Sequence, residues 1–298
     1  MQQEFSNPKI TEFLEAGNFL DFLDNKIFYQ FQHGRSETSP TVLLIHGFPT
    51  SSWDWQEFVT QVGNQWNIIL VDMLGFGFSS KPNRRGYTIK QQADIHQALL
   101  GQLKIEKTHI VCHDYGVSVA QELLARQIDD KQDIGIQSVT FLNGGLFPET
   151  HRALLIQKLM LSSLGRYLNR FLGFPQFKKS FASVFGAQTK PTEDDLRDFW
   201  EIIHYNQGKH VFHNLITYIL DRKEHRERWL RGLQQSNIPL ALINGSQDPV
   251  SGAHLVTRYR ELGCRLDALT ELQHIGHYPQ VEDGHAVANA WLNFQTKI

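Results

Sequence analysis

The chain is poor in the features that would place it among specialised classes of protein. Two cysteines, Cys112 and Cys264, occur in 298 residues, so no disulfide framework is expected. Neither sign of charge dominates: 29 basic residues face 31 acidic ones, a formal net charge of −2. With no extended basic block, a nucleic-acid partner is not expected. No apolar run approaches the ~18 residues of a membrane span, and the stretch from Met1 to Ile10 is polar rather than signal-like. These two absences predict a cytoplasmic protein without stable membrane insertion. Repeats and low-complexity tracts are missing. His210 and His213 share a helical face, but no carboxylate or thiolate lies at ligand spacing from them, so neither a metal nor another cofactor is expected. What remains is 41% hydrophobic residues, an ordinary globular fraction. A chain of this length can bury about three quarters of its unfolded surface.

Hydrophobic periodicity supplies the architecture. Asn18 to Phe31 reads as an antiparallel hairpin turning at Asp24-Asn25. Short aliphatic runs then alternate with helical patterns: Thr41 to Ile45, Asn67 to Val71, His109 to Cys112, Ser138 to Leu142, Pro239 to Ile243 and Arg265 to Leu269. That alternation predicts an α/β fold, a mostly parallel sheet with helices on both faces. Ser51 and neighbouring hydroxyls precede a helical pattern from Trp53 to Val62, and Thr88 with Gln91 forms a capping-box pattern at the start of a helix from Ile89 to Leu103. Between Leu146 and Ser236 the βα rhythm stops and the sequence becomes helical and aromatic. The predicted organisation is a core of residues 1–145 and 237–298 carrying an inserted helical cap of residues 146–236. Within the cap, the leucines from Leu154 to Leu164 form an apolar stripe suited to burial. The run Asp221 to Arg228 reads as a solvated mixed-charge face.

The chemistry concentrates at the ends of the predicted strands. The apolar run to Cys112 passes through His113-Asp114-Tyr115-Gly116 directly into a helical pattern, a strand–turn–helix that lifts the side chain at its apex away from the strand. Here the apex is Asp114. An aspartate is ionised at neutral pH and can attack without a base to remove its proton, and its natural target is a saturated carbon bearing a leaving group. Upstream, His46-Gly47-Phe48-Pro49 follows a strand and can supply a backbone N–H at Phe48, while Tyr115 supplies a second, together an oxyanion hole. Downstream, Asp248 lies on a loop after a strand and His277 on a turn before the C-terminal helical pattern. Asp114, Asp248 and His277 thus run in the order nucleophile, acid, histidine. Each residue type is common alone; the ordered set is not.

These residues carry a resemblance. His46-Gly47-Phe48-Pro49-Thr50-Ser51-Ser52, Leu74-Gly75-Phe76-Gly77-Phe78-Ser79, His113-Asp114-Tyr115-Gly116, the stretch Asn143 to Arg152 and His277-Tyr278-Pro279-Gln280 resemble the epoxide hydrolase and haloalkane dehalogenase branch of the α/β-hydrolases. The resemblance runs from about Asn18 onward. It implies an α/β-hydrolase fold with an inserted cap, and a two-step mechanism through an alkyl ester on Asp114. It also implies a small, largely apolar substrate and a monomer or homodimer. In epoxide hydrolases cap tyrosines donate to the opening ring; Tyr218 stands at the expected place for one, with Tyr205 and Tyr167 as candidates for another. His46 and His113 are further candidates for contacting substrate. Dehalogenases of this branch place Trp after the nucleophile and often Asn after the HG pair, where this chain has Tyr115 and Phe48. Asn143, at a position where some carry an acid, cannot ionise, which leaves Asp248. Epoxide hydrolysis is the leading expectation and haloalkane dehalogenation the second. The others are action on halo-acids held by Arg152 or another cap cation, ester hydrolysis, and a binding protein without catalysis.

Overall fold

In the computed structural model of the chain, residues 4–83, 86–130, 134–150 and 173–298 are described. Eight strands form one sheet: β1 (Asn18–Phe22), β2 (Asn25–Gln32), β3 (Thr41–Ile45), β4 (Asn67–Val71), β5 (Lys107–Cys112), β6 (Gly135–Phe141), β7 (Leu240–Gly245) and β8 (Ala268–Leu272). Their spatial order is β1-β2-β4-β3-β5-β6-β7-β8. β2 pairs antiparallel with both β1 and β4, and every pairing from β4 through β8 is parallel. The α/β-hydrolase architecture expected from the sequence is therefore present.

Parallel strands covered on both faces must be apolar on both, and the central strands divide their residues accordingly. Leu43, Ile45, Ile69, Val71, Ile110 and Cys112 join one core, with Ile89, Leu99, Val117 and Leu124 from the helices α3 (Ile89–Gln102) and α4 (Tyr115–Ile128). Val42, Leu44, Ile68, Leu70 and Val111 join the other, with Ile10 from α1 (Pro8–Glu15), Phe58 from α2 (Gln56–Val62) and Trp291 from the C-terminal helix Gly284–Gln295. Thr88 caps α3 through the Gln91 N–H at 3.1 Å. Ser51 receives the Trp53 N–H, opening a 3₁₀ turn (Ser52–Trp55) before α2 rather than one continuous helix. Gly116 brings α4 against β3: its N–H bonds the His46 carbonyl at 3.0 Å, and a Cβ there would lie 2.6 Å from the carbonyl oxygens of Ile45 and His46.

No strand interrupts the described chain between β6 and β7. It continues as α5 (Phe174–Ala182), α6 (Glu193–His204), a 3₁₀ stretch (Tyr205–Val211), α7 (Phe212–Leu215), α8 (Tyr218–Glu224) and α9 (Arg226–Gln235). The expected leucine stripe falls outside the described residues. Because α9 packs along α4, we propose that the cap gives way to the core near His225, one helix earlier than Ser236. Among the described residues no helix is long and apolar enough to cross a membrane. Gly116→Ala should lower stability by about 2–3 kcal/mol through overpacking against main chain that cannot move aside. Urea unfolding measures it; an unchanged midpoint would mean that α4 and β3 separate freely.

Candidate active site

Asp114, Phe48, Asp248 and His277 all lie just beyond the carboxyl ends of strands β5, β3, β7 and β8, where open α/β sheets place their ligands. Asp114 sits at φ 43° and ψ −103°, a left-handed conformation that costs a non-glycine residue about 1–3 kcal/mol. The surroundings enforce it. The Asp114 N–H bonds the Asn143 carbonyl at 2.8 Å and the His113 N–H bonds the Ile45 carbonyl at 2.9 Å, so the turn is stitched to both neighbouring strands. α4 begins at the next residue.

The carboxylate of Asp114 is buried and has two unlike oxygens. Oδ2 accepts the Phe48 N–H at 3.0 Å, and Tyr115 opens α4, where main-chain N–H groups lack an intrahelical acceptor. Oδ1 faces His277 Nε2 at 3.9 Å and the Nη2 of Arg222 at 3.7 Å. Burial opposes its charge, but His277, Arg222, His113 and the Phe48 N–H more than offset this, and its pKa falls below the usual value. Asp114 is thus held ionised.

His277 Nδ1 bonds Asp248 Oδ2 at 2.7 Å. The same oxygen accepts the Ser251 hydroxyl at 2.6 Å and the Asn143 Nδ2 at 2.9 Å, while Oδ1 accepts the Val250 N–H at 2.7 Å. Burial works against the charge of Asp248, yet His277 and these donors hold its pKa down to about 2. For His277 the balance runs the other way: burial disfavours the imidazolium, and Asp248, Asp114 and Glu282 raise its pKa to about 9.

The remaining candidate residues are not all brought to Asp114. Tyr218 is fully buried on α8, its ring 4.7 Å from Tyr115 and 6.3 Å from Phe48. Its hydroxyl has no hydrogen-bond partner, and burial together with Asp114 pushes its pKa up. Tyr205 does not join it. That ring packs on Phe5 and Phe78 with Lys81 above it, in the core on the opposite face of the sheet. His46 has no nitrogen left for substrate, because Nδ1 contacts the Gly47 carbonyl at 2.9 Å and Nε2 accepts the Met73 N–H at 3.0 Å. His113 uses Nε2 on the His277 carbonyl at 2.7 Å. Both rings are struts between loops, and burial lowers the pKa of each, to about 3 for His113. Tyr167 and Arg152 lie outside the described residues.

One residue near Asp114 escaped the sequence reading. Arg222, in the run taken for a solvated face, is only 1% exposed. Its Nε bonds the Ser118 hydroxyl at 2.7 Å and its Nη2 the Asp114 carbonyl oxygen at 3.0 Å. The guanidinium lies over the Tyr218 ring, 4.4 Å from its centroid, a cation–π contact. The i, i+4 spacing of Tyr218 and Arg222 was the available signal. The flanking charges dock too: Asp221 accepts the Ile89 N–H at the start of α3 at 2.8 Å, and Arg228 pairs with Glu122 at 3.1 Å.

The pKa of His277 has a consequence for stability. It rises from an ordinary 6.5 to about 9 on folding, so its contribution is complete below pH 6.5 and is lost as pH climbs through 9. Wild type should lose on the order of 3 kcal/mol across that window, and His277→Gln should show a flatter profile by urea unfolding at stepped pH. Equal slopes in the two proteins would place the titration elsewhere.

Comparison with known proteins identifies the family and the fold. The family model described as alpha/beta hydrolase fold matches residues 40–284. The mesoderm-specific transcript protein of Mus musculus is 38% identical over 97% of this chain and 88% of its own. Among solved structures, haloalkane dehalogenase DbeA from Bradyrhizobium elkani USDA94 superposes with a TM-score of 0.77 at 20% identity, covering 95% of this chain and 99% of its own. The epoxide hydrolase CorEH gives 0.75 at 17%, covering 94% and 98%. At these identities the two structures speak to fold alone, whereas the family model and the mouse relative cover most of the sequence. The chain belongs to the alpha/beta hydrolase family.

Proposed function

We propose that this hydrolase opens epoxides through an ester on Asp114. The observation that carries the reading is the ionised carboxylate at the apex of the β5–α4 turn, with the Phe48 N–H on one oxygen and His277 beside the other. In the first step Asp114 Oδ1 attacks a ring carbon, the C–O bond breaks, and Tyr218 donates its hydroxyl proton to the departing oxygen. The guanidinium stacked on Tyr218 stabilises the phenolate left behind. In the second step His277, oriented by Asp248, takes a proton from water as it attacks the ester carbonyl, and the Phe48 and Tyr115 N–H groups hold the oxyanion. Losing one such donor typically costs about 3–4 kcal/mol.

The high proton affinity of resting His277 fits this sequence. Asp114 needs no base in order to attack. Once it is esterified, its charge is gone, so one of the anions that hold the proton on His277 is removed while Arg222 remains. The imidazolium then gives up its proton through water to the Tyr218 phenolate, and the neutral imidazole is the base of the second step; the proton it takes from the attacking water is returned to the alcohol oxygen as the ester C–O bond breaks. An oxygen leaving group is favoured over halide by the unpartnered Tyr218 hydroxyl and by Tyr115 and Phe48 at positions where dehalogenases of this branch carry ring and amide N–H donors.

The ester can be trapped by removing the base. His277→Gln incubated with pooled epoxides should gain the mass of a whole epoxide, and His277→Gln/Asp114→Ala should not. An adduct formed only from haloalkanes, lacking the elements of hydrogen halide, would make the enzyme a dehalogenase; no adduct from either pool would overturn the Asp114 ester. Tyr218→Phe should slow epoxide opening at least about tenfold, within the usual range for a lost proton donor. Its effect on turnover of any accepted haloalkane should be small, and equal slowing of both would remove its role as acid.

A further inference from the structure

The turn that carries His277 is held from outside by three successive N–H groups. Gly276 donates to Glu282 Oε2 at 2.8 Å, His277 to the Val184 carbonyl at 2.9 Å and Tyr278 to Glu282 Oε1 at 3.0 Å. Val184 belongs to the loop between α5 and α6, in the helical segment between β6 and β7, while Glu282 closes the short helix Pro279–Glu282. The His277 carbonyl is held in turn by His113 Nε2 at 2.7 Å.

Glu282 reaches the same α5–α6 loop. Its Oε2 also accepts the Gly186 N–H at 2.8 Å and the Thr189 hydroxyl. Four donors, two from the loop and two flanking His277, thus converge on one side chain. The set suits a carboxylate, which accepts on both oxygens, and not an amide, which would turn an N–H towards a donor. Two glycines let the surfaces meet. A Cβ on Gly276 would stand 2.4 Å from the Gly186 nitrogen and from the Val184 carbonyl oxygen, and one on Gly186 2.2 Å from the His274 carbonyl oxygen. The obstructing atoms are main chain, which no change of rotamer clears. Alongside, the Phe185 and Tyr278 rings stack 5.2 Å apart at 10°.

We propose that Glu282 is a positioning residue that clamps the α5–α6 loop to the His277 turn, so that His277 is a competent base only while that loop is docked. A general base must stand within about 2.6–3.2 Å of the proton it takes, and a displacement of about 1 Å can cost on the order of a hundredfold. Ester formation uses Asp114 and Tyr218 but not the base, so undocking the loop slows ester breakdown alone. That consequence rests on the reading of Asp114 as nucleophile; the clamp does not.

Gly186→Ala tests the clamp without altering charge, because the added Cβ would push the loop off the His277 turn and lies on no ionised side chain. Among the described residues, the ionisable groups around the imidazole are Asp248 from the β7 loop, Asp114 and His113 from the β5–α4 turn, and Tyr278 and Glu282 beside it. The titration midpoint of His277, followed by NMR of its imidazole and assigned with His277→Gln, should fall from about 9 in wild type by about one pH unit or more in Gly186→Ala, as contact with Asp248 loosens. Glu282→Gln should lower it as well. During turnover of an epoxide that wild type accepts, intact mass should show the ester accumulating in both variants and not in wild type, its breakdown slowed about tenfold or more. Combining the two substitutions should slow breakdown less than about twofold further, because both release one clamp. Thr189→Val, which removes the hydroxyl from the clamp, replaces Gly186→Ala if that variant fails to fold. An unchanged His277 midpoint in the loop variant, additive slowing in the double variant, or an ester trapped in His277→Gln but in neither Gly186→Ala nor Glu282→Gln would each overturn the proposal. No ester in any of the three would overturn Asp114 as nucleophile, and the midpoint in the loop variant, which needs no turnover, would then decide the clamp by itself.

Discussion

The main chain around Asp114 is packed so closely that three glycines are obligatory. A Cβ at Gly116 would stand 2.6 Å from the Ile45 and His46 carbonyl oxygens, one at Gly47 2.7 Å from the Asp114 Cβ, and one at Gly144 2.9 Å from the Asp114 Cα. Strands β3, β5 and β6 deliver these glycines to one point, and their convergence holds Asp114 at positive φ. The Phe48 loop, the Asp114 turn and the Asn143 loop are therefore a single packed unit. The Phe48 N–H reaches Asp114 Oδ2 because Gly47 lets the first loop approach the second. Asn143 joins the third: its carbonyl accepts the Asp114 N–H while its side chain bonds Asp248 and Gly245. Strain at one residue fixes the relative positions of Asp114, the Phe48 N–H and Asp248.

Electrostatics adds a second constraint on the same few atoms. Burying one unpaired charge costs far more than a typical protein's margin allows, yet this site buries four ionised side chains. It does so as a neutral set, each anion within 4 Å of a cation: Asp248 with His277, and Asp114 with both His277 and Arg222. Removing any one member leaves the others uncompensated. The shifts of Asp248 and His277 in opposite directions are two views of that coupling.

Much of this was legible in the sequence because it rests on local rules. Strands β3, β4 and β5, buried over most of their length, are dense in aliphatic residues, and the sequence expectation agrees with them to within two residues. The expected β8, Arg265 to Leu269, lies three residues early. This edge strand is only half buried, so its apolar signal is weak, and Arg265 and Asp267 instead pair with each other while Asp267 anchors the Leu240 N–H. The order of Asp114, Asp248 and His277 was readable because each follows a strand. What composition could not reveal was direction. Arg222 lies in a run of eight residues, all of them charged or histidine, and nothing in that run distinguishes the side chain facing Asp114 from those pairing at the surface. Tyr205 and Tyr218 both lie in the helical segment between β6 and β7, in aromatic surroundings; a kink at Asn206 and Gln207, both at positive φ, separates them, and the first ring packs with the other core.

The short helix α8 ties the helical segment between β6 and β7 to the surroundings of Asp114. Tyr218 and Arg222 share one of its faces and line the site, while Asp221, the residue between them and the next turn, accepts the Ile89 N–H and fixes the helix to the start of α3. Arg222 makes a second attachment at Ser118 within α4. The groups that dock this helix on the core are therefore interleaved with those that face Asp114, and one of them does both. A shift of α8 by a fraction of a turn would break the Asp221 and Ser118 contacts together with the guanidinium's approach to Asp114. Docking of the helix and assembly of the site are consequently one equilibrium, and a substitution that loosens the first must also change the electrostatic environment of the second.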